Sequence, residues 1–159
     1  MVEKIKIISE TSYESKQISE YSETSLPVLS ISIRNGKSFN LEGAVIEGLV
    51  EYQNNFLVFL TNDIPSEEQL NIYYISSNFE ILDQAVLGGM YATGNFGGLR
   101  VSEPNEVRFT FIGATEWKIQ IYENSVPHIP LFGDSKGVSR PLKLSCYFKI
   151  TGVPKPEKL

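Results

Sequence analysis

Glu106-Val-Arg-Phe-Thr-Phe-Ile-Gly113 and Glu116-Trp-Lys-Ile-Gln-Ile-Tyr122 decide the fold class. Apolar and polar residues alternate along both runs, on either side of Gly113-Ala-Thr115. A period of two puts successive side chains on opposite faces of an extended strand, and two such runs across a short turn read as a β-hairpin. Upstream, Asn71-Ile-Tyr-Tyr-Ile-Ser76 and Phe79-Glu-Ile-Leu-Asp83 flank Ser77-Asn78 in the same manner. The second run continues to Leu87; a short helix through Phe79, Leu82 and Val86 also fits it, and strand is the preferred reading. Between the hairpins lies a glycine-rich crossing, Gly88-Gly-Met-Tyr-Ala-Thr-Gly-Asn-Phe-Gly-Gly98.

Working outward, Val28-Leu-Ser-Ile-Ser-Ile-Arg34 puts Leu29, Ile31 and Ile33 on one face and serines on the other, as in a strand with one solvated face. Gly43 to Tyr52 alternates imperfectly, and Gly48 marks a bulge or bend. Asn54-Asn55 turns that run into Phe56-Leu-Val-Phe-Leu60, which is apolar on both faces and belongs in the middle of the fold. Leu142 to Ile150 forms the last strand, with Leu142, Leu144, Cys146, Phe148 and Ile150 on one face. Residues 9–27 are rich in hydroxyls and poor in apolar anchors, which reads as a polar loop or arm. Ser66-Glu-Glu-Gln69 has capping-box spacing and supports one helical turn. Prolines and glycines between Asn124 and Pro141 break regular structure, and residues 152–159 form a flexible tail. The sum is an all-β, antiparallel β-sandwich or barrel of about eight or nine strands, with at most one short helix, in a single domain spanning 1–159.

A chain of 159 residues with 42% hydrophobic content buries roughly 70% of its unfolded surface, so it needs neither disulfide nor metal to fold. The single cysteine, Cys146, excludes an intramolecular disulfide and a multi-cysteine zinc cluster. The first residues lack the apolar core of a secretory signal, and no apolar run approaches the ~20 residues of a membrane span. The expected location is therefore the cytoplasm, with no membrane partner. Nineteen acidic against fourteen basic residues give a formal charge of −5. That balance argues against nucleic-acid binding by phosphate neutralisation and is compatible with a basic protein partner.

Catalytic signatures fail one by one. The glycine-rich crossing has no Gly-Lys-Ser/Thr after it and opens no helix, so it is no phosphate loop. Glu47 and Glu51 share a strand face, but four residues at ~3.3 Å each part their backbones by roughly 13 Å, against the ~5–9.5 Å of a glycosidase pair. A cross-strand pair of Glu47 with Glu116 or Asp83 stays open. His128 is the only histidine, which excludes a two-histidine metal site, and no Gly-x-Ser-x-Gly elbow supplies a serine nucleophile. Cys146 and Trp117 fall on apolar faces and read as core. The expectation is a non-enzyme with no cofactor and no metal.

Contact surfaces remain. Tyr91, Asn95, Phe96 and Arg100 in and after the crossing are residue types enriched at interfaces, and the proline-stiffened loop from Pro127 to Phe132 presents His128, Ile129, Leu131 and Phe132. Glu47 and Glu51 form an acidic stripe for a basic partner. In size, acidic charge, hairpin-rich pattern and absence of catalytic residues, the chain resembles the β-rich immunity proteins that bacteria make against their own toxins. No residue motif defines those proteins as a group, so no residue role carries over. The resemblance implies a cytoplasmic inhibitor, monomeric or weakly dimeric, that neutralises a nuclease-like toxin by covering its active site. The alternative is a carbohydrate- or small-ligand-binding β-sandwich, which requires exposed aromatics on a concave sheet face.

Overall fold

The computed structural model describes residues 4–34, 36–63, 68–88, 94–113, 115–129, 134–135 and 137–153. Its centre is the run that is apolar on both faces. Strand β6 (Asn55–Thr61) is buried from Phe56 onward and β7 (Leu70–Ile75) throughout. They pair antiparallel within a six-stranded sheet ordered β1 (Ile5–Ile7), β5 (Val45–Tyr52), β6, β7, β8 (Ile81–Leu87) and β12 (Val138–Ser139). Because side chains alternate, Leu57 and Phe59 serve one face of this sheet while Phe56, Val58 and Leu60 serve the other. Each such side chain stabilises the fold by about 1.5–3 kcal/mol through burial.

The face bearing Leu57 and Phe59 packs on a four-stranded sheet ordered β13 (Ser145–Val153), β11 (Glu116–Pro127), β10 (Glu106–Thr110) and β9 (Gly97–Ser102). Its contribution to the shared core is Val107, Phe109, Trp117, Ile119, Ile121, Phe148 and Ile150. Phe59, Phe96 and Phe109 cluster there with ring centroids 5.2–5.4 Å apart, Phe96 stacked on Phe109 and Phe59 edge-on to Phe109. The opposite face packs on a three-stranded sheet of β2 (Tyr13–Ser19), β3 (Val28–Ile33) and β4 (Ser38–Glu42). Leu29, Ile31, Ile33, Phe39 and Leu41 supply that second core. The architecture is thus an all-β antiparallel sandwich with three layers. Among the described residues the helical content is one 3-10 turn, Glu10–Ser12, and no helix is long and apolar enough to cross a membrane.

Two glycines are tied to these layers. In β5, Ile46 pairs with Leu60 and Gly48 with Phe59, leaving Glu47 as the extra residue of a bulge. The insertion reverses the phase, so Ile46 and Leu49 face the three-stranded sheet while Val50 and Tyr52 face the four-stranded one. Gly48 then lies against β9, where a Cβ would come within 2.8 Å of Leu99 Cδ2. At Gly94 a side chain would collide with the Phe111 carbonyl. Gly94 thus lets the chain entering β9 run close against the end of β10, while Gly48 lets β5 approach β9.

Both hairpins read from the sequence are present, as β7–β8 and β10–β11. Several expectations need correction. Strands number thirteen among the described residues, because a third sheet exists. Part of the 9–27 arm is strand β2, whose residues are nearly all exposed; pairing with β3, not apolar burial, orders it. Regular structure persists past Asn124, since β11 runs to Pro127 and β12 lies within the proline-broken stretch. Pairing in the last strand begins at Ser145, so Leu142 and Leu144 are 85% and 79% exposed instead of facing inward. Gly152 and Val153, read as the start of a flexible tail, pair with β11 as the end of β13; residues 154–159 of the tail and most of the helical turn expected near Ser66 lie outside the described residues.

Candidate functional site

A three-stranded sheet cannot cover a six-stranded one. The apolar face of β3 and β4 meets Leu49 of β5, Phe56, Val58 and Leu60 of β6, and Tyr73 and Ile75 of β7, but no residue of β8 or β12. At this uncovered corner lies a cavity of about 250 Å³. Tyr73, Gln84 and Val86 of the central sheet line it from below, Leu26 and Glu42 from the side of the small sheet, and the segment Ser139–Pro141 from the other side.

Each wall is held in place. The Tyr73 hydroxyl donates to the Glu42 carbonyl at 2.8 Å, tying the end of β4 to the central sheet. Burial, reinforced by the Glu42 charge, pushes this phenol up to about 12, so it stays a donor across the neutral range. On the other wall, Arg140 is 7% exposed and sits between two buried carboxylates. Its guanidinium donates to Asp83 Oδ2 at 3.0 Å, to Asp134 at 2.7 and 3.1 Å, and to the Phe148 carbonyl, and it lies 4.5 Å above the Phe148 ring. Burial alone would weaken the cation; Asp134 and Asp83 outweigh it and leave its pKa above the ordinary arginine value. Asp83 Oδ2 also accepts from Tyr147 N at 2.7 Å, and Asp134 Oδ1 from Ile150 N at 3.0 Å. The three side chains thus fasten β8, β13 and the 134–140 segment together, with a net charge of −1.

From Pro141 the chain leaves the cavity wall for an apolar surface. Leu142 and Leu144 stand exposed, and His128 N donates to the Leu144 carbonyl at 2.9 Å. That bond brings Ile129, 68% exposed, onto the neighbouring segment. Three large aliphatic side chains, Ile129, Leu142 and Leu144, are therefore exposed on the two segments that meet at this end of β11 and β13.

The residues singled out from sequence scatter. Tyr91 and Phe132 lie outside the described residues. Asn95 is exposed, and its N–H donates to the Phe111 carbonyl at 2.8 Å. Phe96 is half-buried against Phe59 and Phe109, so it packs the core instead of presenting a ring outward. Arg100 lies on the outer face of the four-stranded sheet and pairs with Glu116, which Arg108 also holds at 3.1 Å. The Arg108 hydrogen bond is the main cause that lowers the Glu116 carboxyl. Glu51 accepts both guanidinium nitrogens of Arg34 at 3.0–3.1 Å and Lys6 Nζ at 3.3 Å; Glu47 accepts Thr61 Oγ1 at 2.9 Å. The stripe is therefore occupied within the chain, and Asp83 and Glu116, the carboxylates weighed as partners of Glu47, are engaged elsewhere.

His128 is 8% exposed, with Nδ1 finding no hydrogen-bond partner among the described residues. Trp117 is fully buried. Burial pushes the Cys146 thiol up, outweighing the opposing pull of Arg140, and so favours the protonated thiol. Among the described residues no group of three or more His, Cys, Asp or Glu is arranged to hold a metal ion. Sequence reasoning missed the cavity and the exposed leucines. The signal for the leucines was Pro141, which lacks the N–H that a ladder needs and so delays the start of pairing.

The chain matches no protein-family model, no curated protein and no solved structure.

Proposed function

We propose that this chain is a non-catalytic protein-binding module that acts as an inhibitor of a basic partner, in the manner of an immunity protein covering the active site of a nuclease-like toxin. The observation that carries the reading is the exposure of Ile129, Leu142 and Leu144, 68–85%, on the two segments joined at one end of β11 and β13. Large aliphatic side chains held on ordered backbone and left in water mark contact surfaces, because covering them removes apolar area at about 25 cal/mol per Å². The formal charge of −5 favours a basic partner and speeds its encounter.

The test is capture with the immobilised chain, followed by purification of the retained protein and assay of the reconstituted pair. A one-to-one complex with a basic protein whose nuclease activity is lost on binding is the expected result. The double variant Leu142→Asp and Leu144→Asp should weaken that complex by more than a hundredfold, given about 1.5–3 kcal/mol for each buried leucine. No stoichiometric partner, or a partner held equally well by the double variant, overturns the reading.

A further inference from the structure

We infer that the corner cavity is a socket for an arginine side chain carried by the basic partner. The inference rests on the protein-binding reading and deepens it by naming what enters. At about 250 Å³ the cavity falls short of the roughly 300–1,000 Å³ typical of small-molecule sites, and its size suits one long side chain. Leu26, Val86 and Pro141 provide apolar walls for an alkyl stem, which buries readily when its charged head meets a polar group.

That polar group is Glu42. Its side chain is exposed, and no ion pair engages its carboxylate among the described residues. Its main-chain carbonyl accepts from the Tyr73 hydroxyl, which anchors the end of β4 from which the exposed side chain extends at the cavity rim. A guanidinium meets a carboxylate through two parallel N–H donors, which an ammonium cannot do. The arginine already in the wall does not repel a second one: Arg140 is outnumbered by Asp83 and Asp134, so with Glu42 the local charge is negative. Leu26 and Glu42 also line an adjoining polar groove with Glu23 and Tyr21, the latter 58% exposed. A cation arriving there meets a further carboxylate and an aromatic ring. On the opposite wall, Pro141 continues directly into Leu142 and Leu144, joining the socket to the apolar surface.

The experiment is an amide chemical-shift titration of the isotopically labelled chain with acetyl-arginine methylamide, and with its lysine and norleucine counterparts. The expected result is saturable, millimolar binding of the arginine compound, with shifts centred on Gln84, Val86 and Ser139. Glu42→Gln should weaken it by about tenfold without changing the melting temperature, while Gln120→Ala on the far sheet leaves it unchanged. Norleucine binding as well as arginine, or indifference to Glu42→Gln, overturns the socket; lysine binding equally well overturns the guanidinium assignment. The two readings fail separately. A captured protein partner bound equally well by Glu42→Gln removes the socket alone, whereas saturable arginine binding without any protein partner removes the inhibitor reading and leaves the cavity's guanidinium preference without its partner.

Discussion

The face of the central sheet toward the four-stranded sheet is covered from β1 to β8, with Ile5, Tyr52, Leu57, Ile72, Ala85 and Leu87 in one continuous core. The face toward the three-stranded sheet is covered only as far as β7. The same strands, paired in the same ladder, therefore have one side devoted to burial and another that ends in an open corner. Sheet width thus sets how much of each face is buried. Where the layers match, the side chains are aromatic and interlocked; where they do not, there is a cavity beside a carboxylate, Glu42, that no ion pair engages among the described residues.

Truncation should expose this asymmetry most sharply. Phe59→Ala removes a fully buried ring that touches both Phe96 and Phe109 and should cost roughly 3–5 kcal/mol, measured as a fall in denaturant midpoint at unchanged slope. Ile31→Ala, in the narrower core, should cost roughly 2–3 kcal/mol, the lower part of the range for such changes, because a three-stranded layer can settle onto the void. Equal losses would show that the two faces are equally well packed.

A subtler probe uses Tyr73 and Tyr74, which point to opposite faces of β7. Burial above all pushes each phenol up to about 12. A folded-state value above the unfolded one of about 10 contributes stability that is intact below pH ~10 and lost as the pH rises through ~12. Tyrosinate absorbance should therefore show two of the eight tyrosines resisting ionisation until the alkaline end of that window. Occupying the corner cavity should perturb Tyr73 and leave Tyr74 untouched. The smallest effect belongs to Glu51→Gln. It breaks contacts to Arg34 and Lys6, whose side chains are about half exposed, and should cost less than about 1 kcal/mol in thermal unfolding.

What the sequence made legible was local. Alternation from Glu106 to Tyr122 and the two-faced run Phe56–Leu60 located the strands that form the core, and Gly48 marked the bulge in β5. Which sheet each strand joins was not legible, because pairing joins distant stretches: β1 meets β5, and β12 meets β8. Strand β2 escaped notice since its order comes from main-chain bonds to β3, which leave no apolar pattern. Leu142 and Leu144 continue the alternation of β13 past the point where pairing stops, so the pattern named them core and the structure leaves them in water. The corner cavity draws on residues near 26, 42, 72, 85 and 140, a convergence that no local spacing encodes.

Strand β2 carries one more consequence. It is the outermost strand of its sheet, so its outer main-chain edge could in principle template another chain into a growing fibril. Its sequence, Tyr-Glu-Ser-Lys-Gln-Ile-Ser, sets Glu14 and Lys16 two residues apart, with Ile18 the sole aliphatic side chain. Stacking copies in register would place like charges opposite one another at every layer while burying almost nothing. The polar composition that hid this strand from a search for apolar patterns is also what keeps the edge from recruiting more of its own kind.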